Sequence, residues 1–137
     1  LEVDVSTILE AVGDYLVAQG QGTLGVSIFL STMPETPDAL VAVYESVGDT
    51  PSFTMGGAAV AINRPVIEVI VRGAKNDYPG ARDKAETIRS ILGAVVGQSL
   101  SGIQVLRMAP QGWLNPLGDD ENLRPTVSVN FECMVLP

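Results

Sequence analysis

The stretch 65–92, PVIEVIVRGAKNDYPGARDKAETIRSIL, constrains the fold more than any other part of the chain, because its apolar period changes midway. Ile67, Val69 and Val71 alternate with the mixed set Val66, Glu68, Ile70 and Arg72, which is the period-two pattern of a strand. Pro65 opens that strand at a position where a missing donor costs little. After the Arg72-Gly73 turn, Ala81, Ala85, Ile88, Leu92 and Val95 recur at spacings of three and four, the stripe of a one-sided helix. Asp77 is its expected N-cap, Pro79 suits its first turn, and Arg82, Asp83, Lys84, Glu86 and Arg89 occupy the outer face. Arg82 with Glu86, and Glu86 with Arg89, are feasible pairs. A strand and helix joined this tightly need a sheet beneath the helix, so Arg72, Gly73 and Asp77 read as structural residues. The mixed second face of the strand implies a sheet face covered only in part, or covered in an assembly.

The flanking segments supply that sheet. Residues 3–19 carry Val5, Ile8, Leu9, Val12 and Leu16 on one side, a first helix stopped by Gly20, Gly22 and Gly25. Those glycines spell G-x-G-x-x-G, but here the motif follows a helix and opens a strand, the reverse of a dinucleotide site, so a helix end and loop is the reading. Residues 25–33 and 40–47 read as two strands, antiparallel across a polar, Pro-containing link. Segment 48–64, GDTPSFTMGGAAVAINR, is weakly patterned and apolar, with Phe53, Met55 and the Gly56-Gly57 joint, and is expected to be a loop serving as an interaction arm. A fourth strand is expected at 101–109 and a loop at 110–125, which holds Trp113 and the acidic Asp119, Asp120 and Glu121. The last strand is the clearest, with Val127, Val129, Phe131, Cys133 and Val135 alternating against Thr126, Ser128, Asn130 and Glu132. The expectation is an α+β fold in a single domain, two main helices on a mostly antiparallel twisted sheet of about five strands.

Chemistry is conspicuously absent. No histidine occurs, which removes the usual general base and the Ser-His and Cys-His pairs. The one cysteine, Cys133, excludes an internal disulfide and lies on the apolar face of a strand, where it reads as an inert buried thiol. Asp119, Asp120 and Glu121 offer hard oxygens without EF-hand spacing, so they read as a solvated loop that Arg124 shapes by pairing with one carboxylate. A metal-dependent hydrolase centred on them is the distant alternative; no cofactor or metal is expected. With 8 basic and 16 acidic residues, a net charge of −8 argues against a surface that grips nucleic acid. No apolar run approaches the ~20 residues of a membrane helix. Trp113 reads as a packing anchor within the fold or across a subunit boundary.

Two ordered blocks carry a family resemblance. VIVRG at 69–73, with Asp77, Tyr78, Ala81, Lys84, Ala85, Ile88 and Leu92, and then PLGDDE at 116–121, Arg124 and SVNFE at 128–132, resemble the tail terminator proteins of long-tailed bacteriophages, also grouped as minor capsid or tail-completion proteins. The resemblance covers roughly residues 65–135. It implies a structural, non-enzymatic virion protein: a hexameric ring that caps the tail tube, ends its polymerisation and offers a surface to the head-completion protein of the neck. It further implies that DNA passes through the ring unbound, with assembly in the bacterial host cytoplasm and no membrane involved. Another neck ring, of the head-completion or adaptor kind, is the nearer alternative. Phe53, Met55, Trp113, Asp119, Asp120, Glu121 and Arg124 are the expected interface residues, and segment 48–64 is the departure from the family pattern.

Overall fold

The computed structural model describes residues 7–53, 55–57 and 59–137, and for residues 47–50, 52, 53 and 60 the backbone alone. The chain runs α1 (Ile8–Ala18), β1 (Ile28–Leu30), β2 (Leu40–Phe53), β3 (Val60–Arg72), α2 (Tyr78–Gly93), β4 (Val96–Leu100), β5 (Ile103–Pro110), β6 (Asn115–Asp119) and β7 (Pro125–Val135). Seven strands form one curled sheet in the order β1-β2-β3-β7-β5-β4, with β6 added to the second edge of β7.

Both helices form where local chemistry favours them. Thr7 and Glu10 make a capping box at the start of α1, Thr7 Oγ1 accepting from the Glu10 amide at 3.2 Å and Glu10 Oε1 from the Thr7 amide at 3.3 Å. The Asp77 side chain accepts from the Gly80 amide at 3.1 Å to cap α2. The stripes Ile8, Val12 and Leu16 on α1 and Ala81, Ala85, Ile88 and Leu92 on α2 are buried in one cluster. That cluster includes one face of the sheet, in rungs set by register: Val41, Val71 and Val127; Val43, Val69 and Val129; Ile67 and Phe131. Gly13 lets α1 approach this layer, since a Cβ there would stand 3.1 Å from both Leu24 Cδ2 and Leu30 Cδ2.

This architecture corrects the expected one. The sheet is mixed and has seven strands rather than about five. The expected strand at 25–33 contracts to β1, because the amides of Val26, Ser27 and Ile28 all turn back to the Thr23 carbonyl. Strands β1 and β2 pair in parallel, not antiparallel, with Ile28 opposite Val41 and Leu30 opposite Val43. Segment 48–64 is not a loop: β2 runs on to Phe53, β3 begins at Val60, and residues 55–57 turn between them. Register shifts after Ser46, Asp49 and Ser52 break the side-chain alternation there, which is why the sequence looks unpatterned.

Two strands escaped the sequence reading. β4 follows α2 directly and pairs with β5 through Ser101 and Gly102, whose φ angles of 48° and 85° belong to a tight hairpin turn. β6 lies inside the expected 110–125 loop, its residues all exposed and so without an apolar face to reveal it. A further irregularity between Val105 and Arg107 reverses the alternation of β5, bringing Val105 and Met108 to the same buried cluster. β7 is flanked by β3 on one edge and by β5 and β6 on the other; on its polar side Ser128 is fully buried, while Thr126, Asn130 and Glu132 are half-buried.

Phe131 is the largest fully buried side chain and joins the middle of the sheet to the helix layer. Phe131→Ala is expected to destabilise the fold by about 3–5 kcal/mol. A urea midpoint unchanged from the parent protein would contradict the assignment of this face as the core.

Candidate functional site: an arginine clasp and an exposed rim

On the sheet face opposite the helices, two arginines hold the linker between β1 and β2. Arg72, the last residue of β3, is 3% exposed, and its guanidinium faces main-chain oxygens. Nε donates to the Asp38 carbonyl at 2.8 Å, while Nη2 donates to the carbonyls of Pro34 at 2.6 Å, Pro37 at 2.7 Å and Glu35 at 3.2 Å. Burial pulls its pKa below the ordinary guanidinium value, and the neighbouring Arg124 charge adds to that.

Arg124 closes the clasp from the other side. It precedes β7, is equally buried, and donates Nη1 to the Glu35 carbonyl at 2.6 Å, Nη1 to Asp38 Oδ1 at 3.3 Å, Nη2 to Glu35 Oε2 at 3.2 Å and Nε to Asp120 Oδ2 at 2.8 Å. Burial alone would lower its pKa, but hydrogen bonding and attraction from Asp120 raise it. Asp120 is committed to this network: its Oδ1 accepts from the amides of Asn122 at 2.9 Å and Arg124 at 3.0 Å. The Arg124 backbone hydrogen bond is the main reason its carboxyl lies below the usual range, against a smaller opposing effect of burial.

The expected site residues therefore separate into groups. Asp120 and Arg124 meet in the clasp, whereas Asp119 and Glu121 flank them as exposed side chains. Among the described residues no cluster of three or more His, Cys, Asp or Glu side chains could hold a metal ion. Gly73 is structural in a direct sense, since a Cβ there would stand 2.8 Å from the Asp77 carbonyl oxygen and 2.9 Å from Ala81 Cβ. Met55 is fully exposed at the turn of the β2–β3 hairpin, and the Phe53 side chain lies outside the described residues. Trp113 is 55% exposed and lies beneath Arg89, whose Cζ is 4.6 Å from the ring centroid. Arg89 thus leaves Glu86, which pairs instead with Arg82 at 2.9 Å.

Sequence reasoning missed Glu35 and Asp38, which reach Arg124 across more than 80 residues with no local signal. It also missed a cleft of about 390 Å³ lined by the first turns of α2 and the adjoining ends of β2 and β3. Lys84 borders this cleft, but its ammonium is already donated to the Gln21 carbonyl at 2.7 Å and burial lowers its pKa. Cys133 is fully buried, and burial, followed by the charges of Glu132 and Glu45, pushes its thiol up to about 12, far from a reactive thiolate.

The clasp arginines thus direct most of their hydrogen bonds to main-chain oxygens of the 34–38 linker, with carboxylate pairs completing the network. A family model for the bacteriophage tail terminator protein matches residues 15–136, and the chain belongs to that family, the structural proteins of phage tails. Comparison with curated protein sequences finds no match. Ten chains of solved structures match in fold. One of them superposes with a TM-score of 0.59 over 95% of this chain and 91% of its own, at 13% sequence identity, a likeness of fold alone. No helix among the described residues is long and apolar enough to cross a membrane.

Two measurements test the clasp. Arg72→Lys keeps the charge but loses the planar fork, and is expected to cost about 2–4 kcal/mol in denaturant unfolding, with faster amide exchange in residues 33–39; unchanged exchange there would contradict the clamp. Because the folded pKa of Asp120 is depressed below its unfolded value near 3.8, its contribution is present above that value and lost as pH falls through the folded pKa. The melting-temperature gap between the parent protein and Asp120→Asn should accordingly be widest at neutral pH and close under acid; a gap independent of pH would remove Asp120 from the network.

Proposed function

We propose that this protein assembles as a hexameric ring that caps the phage tail tube, ends its polymerisation and presents a surface to the head-completion protein of the neck. The observation that carries the reading is membership of the tail terminator family across residues 15–136. Two physical features support it. A net charge of −8 per copy, repeated around a ring, makes a passage that repels rather than holds the DNA moving through it. The exposed features are also distributed as an assembling subunit requires: a projecting hairpin in segment 48–64 with Met55 at its turn, and a separate rim with Trp113, Asp119 and Glu121. Assembly takes place in the host cytoplasm, and the product is part of the virion.

In this reading Asp119 and Glu121 contact the partner directly, while Asp120 and Arg124 hold the loop that presents them. Phe53 and Met55 belong to the arm. Arg72, Gly73 and Asp77 keep the sheet and α2 rigid behind both.

Purified protein is expected to give a ring-sized species by static light scattering, and phage lacking it are expected to carry overlong tails in electron micrographs. Monomer at every concentration would count against the ring. Tails of normal length detached from heads would transfer the role to a joining protein of the neck.

A further inference from the structure

The ring reading requires two surfaces that fit each other, and the structure contains a pair that it leaves unmatched. The first is the hairpin arm. The pairing of β3 with β7 ends with Asn63 opposite Val135, yet β3 continues back to Val60 and β2 on to Phe53, so the arm is a two-stranded ribbon with no third strand among the described residues. Such a ribbon is marginal in water by itself. No charged residue occurs in 50–63, so the arm can approach a second acidic copy without repulsion.

The second surface is the rim made by β6 and Trp113. β6 pairs with β7 and with no other strand among the described residues, which leaves its outer edge of amides and carbonyls open. Leu117 on that strand is 50% exposed and Trp113, just before it, 55%. Arg89 stands over Trp113 and donates Nη2 to the Gly112 carbonyl at 3.1 Å, but its Nε–H is buried with no acceptor. A buried donor beside a half-exposed tryptophan lacks one carbonyl.

Their placement makes the match directional. Gly118 of β6 stands opposite Thr126, and Asn63 opposite Val135, so the rim and the root of the arm lie nine residues of β7 apart and on its two different edges. At ~3.3 Å per residue that is roughly 30 Å. Surfaces so placed cannot meet within one copy and produce a head-to-tail contact between copies, the kind that closes into a ring when the rotation allows.

We propose that the β2–β3 arm of one copy docks along the β6 rim of the next, laying Met55 near Leu117 and Trp113 while a main-chain carbonyl of the arm accepts the Arg89 Nε–H. The inference rests on the ring reading and names the surface that receives the arm. A neutral extended segment with open backbone groups is what an unpaired strand edge and a lone N–H select, in preference to an acidic side chain from another protein.

The test is a disulfide exchange between copies carrying Met55→Cys and copies carrying Leu117→Cys, with Cys133 left in place because it is buried. Oxidation of the mixture is expected to give a cross-linked heterodimer, and a chain carrying both substitutions a ladder of covalent oligomers. Trp113→Ala and Arg89→Ala should each raise the concentration needed for half assembly about tenfold or more. Light scattering on the same samples separates the possible failures. Assembly without the cross-link, or cross-links only between like cysteines, would overturn the docking while leaving the ring intact. Monomer throughout would overturn both. Should Trp113→Ala fail to fold, the cysteine pair still decides.

Discussion

The structure depends most on a guanidinium at the end of a strand. Arg72 donates to four carbonyls of the 34–38 segment, and Arg124 adds a fifth main-chain contact at Glu35. These bonds do what apolar packing cannot do for a proline-containing linker with exposed side chains: they satisfy its buried carbonyls and fix its path. That path decides the topology. Only a linker turned back across the sheet lets β1 leave at Leu30 and β2 enter at Leu40 so that the two run parallel. The same bonds cover the end of the face away from the helices, where Leu40, Arg72 and Thr126 share a rung.

Charge is allocated accordingly. Arg72 and Arg124, both buried, are spent on main-chain geometry, and Asp120 is held ionised to complete them. What remains at the surface is mostly acidic, and the exposed apolar side chains include Met55 at the hairpin turn and Trp113 and Leu117 at the β6 rim. The clasp fixes the 34–38 linker against the end of the sheet.

Where the sequence was legible, one residue's environment depended on its near neighbours. The stripe from Ala81 to Leu92, the Asp77 cap and the alternation Val127, Val129, Phe131, Cys133 all appear in the structure where periodicity places them. The failures share a cause as well. Bulges shift the register of β2 after Ser46, so the two halves of that strand carry opposite phases and cancel as a pattern. β6 buries none of its side chains and is held to β7 by main-chain pairing and by the Thr126 hydroxyl, which donates to the Gly118 carbonyl at 3.0 Å. β4 carries Gly97 at a φ of 60° and shows no apolar alternation, with only Leu100 buried. The partners of Arg124 were invisible because Glu35 and Asp38 are polar linker residues like any others until the chain is folded.

The stretch 65–92 by itself determined a strand, a tight turn and a capped helix, because alternation, helical spacing and capping act within a few residues. Composition determined that no histidine is at hand for catalysis and that acidic residues outnumber basic ones, 16 to 8. Tertiary structure alone decided the number of strands, the parallel pairing at the first edge and the conversion of an apparent loop into a hairpin. Those outcomes rest on main-chain hydrogen bonds, and backbone groups look the same in every residue until the fold assigns them partners.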